Sequence, residues 1–280
     1  MKHRPVMRYH GGKFKLAPWI IQHMPTHRVY VESYGGAASV LLQKPRCYAE
    51  VYNDLDGEIV NVFRVLRNPT QARELRRQLD LTPYAREEFE LSTIADGDPI
   101  EQARRTLFRF AAGHSTSGTN SEKWQTGFRT YSGNSRSATP AQDWANYSQH
   151  IETFTARLRG VYIEQLPAIA CMQRYDQADC LHYVDPTYLF ETRNKRQAGN
   201  SYRHEMTDQD HRDLAPVLHG LAGMVILSGY ASPLYDQELY SDWVRVEKRA
   251  HADGGRDRVE VLWLNPAAAS RQQLRMEVAA

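Results

Sequence analysis

"RVYVESYGGAASVLLQKPRCYAEVYNDLD", Arg28 to Asp56, decides the fold. Its first residues alternate and are rich in Val and Tyr, the pattern of a strand. Small residues follow at Gly35, Gly36, Ala37, Ala38 and Ser39, and the apolar run after them predicts a helix that Pro45 ends. "CYAEVYND" predicts a second strand. Beyond it, "DGEIVNVFRVLRNP" places Ile59, Val62, Phe63 and Leu66 at helical spacing and stops before Pro69. Strands that alternate with helices predict an α/β domain whose mainly parallel sheet is covered on both faces.

The same pattern returns late in the chain. "GVYIEQL", "LHYVDPTY", "GMVILSGY" and "RVEVLWLNP" are apolar strand candidates. "MTDQDHRDLAPVLHG" predicts a helix with Thr207 as its N-cap, Gly220 after its end and a kink at Pro216. Between the two α/β stretches the composition differs. Residues 71–112 are helical in tone and densely charged, and Gly113 to Ser137 is dominated by Gly, Ser, Thr and Asn with interleaved Trp124, Phe128 and Tyr131. Loops of that length are uncommon unless functional or disordered. The expected organisation is one α/β domain from residues 1–66 and 156–280, interrupted at 67–155 by a mainly helical lobe.

Composition narrows the class. The 280 residues are 41% hydrophobic and 24% charged, enough for a sizeable core. No apolar run approaches the roughly 20 residues that span a membrane. "MKHRPVMRYHGGK" lacks the apolar centre of a secretion signal. Cys47, Cys171 and Cys180 have no metal-like spacing, so the expectation is a cytoplasmic protein with no metal and no membrane partner. A net charge of +2 is too small to imply nucleic acid by itself.

Three motifs carry chemistry. In an open parallel sheet, ligands bind beyond the carboxyl ends of the strands, and the Gly35–Gly36 turn sits at such an end. Asp54 ends the next strand about 20 residues on, where a carboxylate can bond ribose hydroxyls; a helix-capping Asp is the alternative. G-x-G-x-x-G is absent, which points away from NAD. "RYHGGK", Arg8 to Lys13, is not a phosphate loop and reads alone as a turn with a solvated lysine. "DPTY", Asp185, Pro186, Thr187 and Tyr188, reads alone as a turn.

Taken in order and spacing, "RYHGGK", "YVESYGGAASV", "YNDLD" and "DPTY" resemble the Dam-type, DPPY-class adenine-specific DNA methyltransferases, in particular forms carried by phages and prophages. The similarity runs over nearly the whole chain and includes "LSGYASPLY" and "VLWLNP". It implies a Rossmann-like methyltransferase sheet, S-adenosylmethionine as cofactor, double-stranded DNA as partner and methyl transfer to the exocyclic amine of adenine. It also implies that Tyr9 and Lys13 hold the methionine end of the cofactor. Glu32, Ser33, Tyr34, Gly35, Gly36, Ala37, Ala38 and Ser39 would cradle it, Asp54 would hold its ribose, and Leu55 would lie beside its adenine. Asp185, also at the cofactor, and Pro186 would orient the target amine, with Tyr188 stacked on a base turned out of the duplex.

The chain departs from that family at Thr187, where a second proline is expected, and at Ser33 and Tyr34, where Pro and Phe are usual. Without the second proline, the Pro186 carbonyl is expected to be less firmly aimed. These changes leave open an altered donor or transferred group, or an impaired DNA-binding homologue. A small-molecule methyltransferase would share the cofactor site, but it gives no reason for a basic lobe. Within the lobe Arg104, Arg105, Arg109, Lys123, Arg129 and Arg136 oppose Glu101, Glu122 and Asp143. Arg109, Lys123, Arg129, Asn134 and Arg136 are the expected DNA contacts. The oligomeric state is left between monomer and weak dimer.

Overall fold

The structure is a computed structural model that describes residues 4–114, 127–131, 138–193, 203–251 and 257–279. Its sheet has seven strands: β1 (Val29–Glu32), β2 (Ala49–Asn53), β3 (Val161–Glu164), β4 (Cys180–Val184), β5 (Met224–Tyr230), β6 (Val244–His251) and β7 (Asp257–Leu264). Their order is β3-β2-β1-β4-β5-β7-β6. The first five in that order run parallel, and β7 is antiparallel to both its neighbours. The chain winds outward from β1 through β2 to β3, then returns to the centre at β4. The crevice between the carboxyl ends of β1 and β4 is therefore the switch point at which such sheets bind ligands.

Each strand presents alternate residues to two cores. Tyr30, Tyr52, Leu181, Tyr183, Ile226 and Leu262 share one buried cluster. Val184, Val225, Leu227, Val261 and Trp263 belong to a second, and Val29, Val31 and Val51 to a third. Burial on both faces explains why the central strands read as nearly continuous apolar runs.

The helices are α1 (Ala17–Gln22), α2 (Gly57–Arg67), α3 (Pro69–Leu81), α4 (Arg86–Leu91), α5 (Pro99–Ala112), α6 (Pro140–Ala145), α7 (Ile151–Leu158), α8 (Ala168–Tyr175), α9 (Asp208–Gly220) and α10 (Pro266–Ala279). In α2, Ile59, Val62, Phe63 and Leu66 are buried as the spacing predicts. Asn68 ends α2 and caps α3, its side chain accepting from the N–H groups of Thr70 and Gln71, with Pro69 in the first turn. Helix α9 starts at a reciprocal capping box between Thr207 and Asp210 and contains Pro216.

Two expectations need correction. The run after the glycines is a succession of turns and not a helix. Ala38 has φ +52°, a left-handed backbone that interrupts helical propagation. The Leu41 N–H donates 2.8 Å to Oε2 of the buried Glu32, so a side chain replaces a helical acceptor. Strand β6 was not expected, because four of its eight residues are charged and Val244 to Arg249 are mostly exposed.

The residues expected to form an inserted lobe, 67–155, are mainly helical in their described part, from α3 into α7. Among them Leu75, Leu107, Phe108, Trp144 and Phe154 belong to the same buried cluster as Tyr30 and Tyr183 of the sheet. Through that core the helices are fixed to the α/β body. Beyond α5 an antiparallel bridge joins Gly113 to Phe128.

Candidate functional site

The glycine turn fits where it lies because it has no side chains. The Gly35 N–H donates to the Asn53 carbonyl at 2.8 Å, and a Cβ on Gly35 would come 2.2 Å from the Tyr52 ring. Gly36 has φ +45°, and a Cβ there would come 2.8 Å from Tyr9. Asp54 then ties the turn to the end of β2: Oδ2 accepts from Gly36 N–H at 2.7 Å and Oδ1 from Asp56 N–H at 2.8 Å. Burial raises the Asp54 pKa, and those two backbone donors oppose the rise. Asp56, not Asp54, is the N-cap of α2. The capping alternative for Asp54 therefore gives way to a carboxylate that stabilises the turn and faces the cleft.

The cleft has a volume of about 1180 Å³. Tyr9, Lys13, Glu32, Ser33, Tyr34, Gly35, Gly36, Ala37, Ser39, Asp54 and Leu55 all line it, and so do Asp185, Pro186, Thr187 and Tyr188. Motifs up to 179 residues apart in the chain, from Tyr9 to Tyr188, thus share one surface. Ala38 is the exception: it is fully buried behind the turn. The Ser33 hydroxyl is buried, with no hydrogen-bond partner among the described residues.

Asp185 follows β4 directly. Its Oδ1 lies 3.0 Å from Lys13 Nζ, which also donates to the Gly11 carbonyl at 2.7 Å and stands 4.6 Å from the centre of the Tyr188 ring. Burial pushes the Asp185 carboxyl up to about 6; Lys13 opposes that rise and Glu260 adds to it. One strand over, burial pushes Glu32 up to about 8, against hydrogen bonds from Tyr30 and the Leu41 N–H. Thr187 Oγ1 accepts from Met206 N–H at 3.0 Å. The Tyr188 hydroxyl donates to Glu260 Oε2 at 3.0 Å and lies 3.3 Å from Ser228 Oγ. Glu260 and Ser228 were not anticipated from the sequence; the only signal was a polar residue inside each of two apolar strands.

The matching family model is that of the D12 class N6 adenine-specific DNA methyltransferases, and it covers residues 9–253. The chain belongs to that family. The methyltransferase therefore acts on adenine in DNA with S-adenosylmethionine as methyl donor, on a mixed α/β, Rossmann-like sheet. No curated protein matches the chain. Among the described residues no helix is long and apolar enough to cross a membrane, and no group of three His, Cys, Asp or Glu residues could hold a metal ion.

The expected DNA contacts of this methyltransferase divide into three cases. Arg109 is corrected: it is 4% exposed, and its guanidinium donates to the Ser92 carbonyl at 2.9 Å and pairs with Glu58. An arginine held inside the fold by a carbonyl and a carboxylate does not reach phosphate. Arg104 and Arg105, which contributed to the apparent basic excess, pair with Glu88, Glu101 and Asp96. Arg129 is half-buried beside the Gly113–Phe128 bridge. Lys123, Asn134 and Arg136 lie outside the described residues.

Proposed function

We propose that the cleft holds S-adenosylmethionine through Tyr9, Lys13, the Glu32–Ser39 turn, Asp54 and Leu55, and that Asp185 to Tyr188 direct transfer to an adenine turned out of double-stranded DNA. The observation that supports this is the meeting of Asp185 and Lys13 at the switch point, in the cleft that also holds the glycine turn and Asp54. The residues fit the cofactor: two glycines keep the turn clear of Cβ atoms, and the buried Ser33 hydroxyl lines the cleft. When bound, the cofactor supplies an electrophilic methyl group on a sulfonium.

The exocyclic amine of adenine is a poor nucleophile because its lone pair is delocalised into the ring. Asp185 accepts a hydrogen bond from one N–H, and the Pro186 carbonyl accepts from the other. Both acceptors favour a more tetrahedral nitrogen whose lone pair is free for in-line attack. Tyr188 stacks on the base, and Lys13 balances the charge of Asp185. The 67–155 insertion approaches the DNA, and the protein works in the cytoplasm as a monomer or weak dimer.

The test is mass spectrometry of nucleosides from host DNA. Expression of the wild type should add N6-methyladenine, and Asp185→Ala should abolish it while calorimetry shows cofactor binding retained. Methyladenine at wild-type levels from Asp185→Ala would remove Asp185 from the chemistry. An adduct of another mass would instead assign the Ser33 and Thr187 departures to a different transferred group.

A further inference from the structure

We propose that Glu260 is a positioning residue for methyl transfer, holding the Tyr188 hydroxyl so that the Tyr188 ring is presented in one orientation to the target base. The inference rests on the proposed stacking of Tyr188 on that base. Glu260 lies on β7, opposite Tyr230 of β5 and Lys248 of β6. It is 7% exposed, and the residues that follow it, Val261 to Leu264, are fully buried. A carboxylate at such a place costs stability unless it is bonded. It accepts a bond from the Tyr188 hydroxyl at 3.0 Å.

Five groups converge on the Tyr188 side chain. Glu260 and Ser228 hold its hydroxyl, which also interacts with Asp185; Lys13 stands 4.6 Å from the ring centre, and Tyr230 meets the ring edge-on with centroids 4.6 Å apart. Ser228, Tyr230 and Glu260 all come from the β5–β7 pair, outside the "DPTY" motif itself. A tyrosine has only two side-chain torsions, so edge packing and a fixed hydroxyl leave the ring one orientation. Aromatic stacking depends on that orientation.

Glu260 also acts on Asp185. Lys13, Glu260, Tyr188 and Glu32 all face that carboxyl, and the charge of Glu260 raises its pKa. Tether and charge are therefore separable: glutamine at 260 keeps an acceptor for the Tyr188 hydroxyl and loses the charge.

Single-turnover methylation across pH tests the proposal. Glu260→Ala and Tyr188→Phe should each lower the plateau rate about 10- to 100-fold, the span of a lost bond to a charged partner. The double variant should be little slower than either single one, because both remove the same bond. Glu260→Gln should return the plateau to within about threefold of wild type and move the acidic limb to lower pH, a change that a packing role alone would not produce. If Glu260→Ala does not fold, Tyr188→Phe and the acidic limb of Glu260→Gln decide between tether and packing. Tyr188→Ala separates the tether from stacking. If it abolishes transfer while Tyr188→Phe and Glu260→Gln behave as wild type at every pH, the tether is refuted and stacking stands. Wild-type transfer by Tyr188→Ala would overturn both, and additive losses in the double variant would overturn the tether.

Discussion

Thr187 stands where family resemblance leads one to expect proline, and the structure supplies a restraint in its place. Its hydroxyl accepts from the Met206 N–H, tying the turn after β4 to the segment that leads into α9. Thr187→Val keeps the shape and removes the acceptor. We expect a loss of about 1–3 kcal/mol in urea unfolding, the cost of an unsatisfied partly buried donor, and a slower single-turnover rate. Thr187→Ser should retain both quantities, and wild-type behaviour of Thr187→Val in both would show that the bond does not matter. Lys13, Asp54 and Asp185, which the structure brings to one cleft, could be named from the sequence because their motifs, taken together and in order, resemble a family; "RYHGGK" and "DPTY" alone read as turns. Glu260 and Ser228 could not. Their meeting with Tyr188 depends on the pairing of β5 with β7, and a lone polar residue in an apolar strand says nothing of its partner across the sheet.

At the scale of elements, the apolar strands and α2 were readable because burial enforces their periodicity. The turn after Gly35 was misread as helix because composition there favours helix, whereas Ala38 takes a left-handed backbone and Glu32 captures the Leu41 N–H. Strand β6 escaped because an edge strand keeps charged residues exposed, which hides the apolar signal. Helix α5 shows the same limit for function. Its arginines look like a DNA-binding stripe, yet Arg104 and Arg109 are buried and paired. Arg109→Ala leaves the Ser92 carbonyl without its donor and Glu58 with Arg203 alone. It should cost about 1–3 kcal/mol in urea unfolding and leave the salt dependence of DNA binding unchanged. The double change Arg129→Glu with Arg136→Glu should do the reverse, flattening that dependence by about one unit of slope for each phosphate that is no longer neutralised. A flattened slope in Arg109→Ala would return that residue to the DNA surface.

For the molecule as a whole, the switch point sets two carboxyls of opposite consequence side by side. Glu32 ends β1, Asp185 follows the adjacent β4, and the charge of Asp185 raises the cost of ionising Glu32 in a buried crevice. In the proposed mechanism Asp185 is an acceptor, so the rate should rise with pH through about 6. Stability runs the other way. Burial raises Glu32 to about 8 from an ordinary value of 4.5, so the folded state holds its proton more tightly than the unfolded chain does. Its contribution is fully present below the unfolded value and is lost as pH rises through the folded one. The loss can reach at most about 1.4 kcal/mol per pH unit over that interval. Glu32→Gln keeps an acceptor for the Tyr30 hydroxyl and the Leu41 N–H but cannot ionise. In urea unfolding of the cofactor-free protein, the wild type should therefore lose stability relative to Glu32→Gln between about pH 5 and pH 8, with the gap widening upward. A difference that stays constant across that range would mean that Glu32 is already ionised in the fold. Glu32 would then not be a neutral acid bridging Tyr30 and the glycine turn, and the pH dependence of stability would have to arise elsewhere.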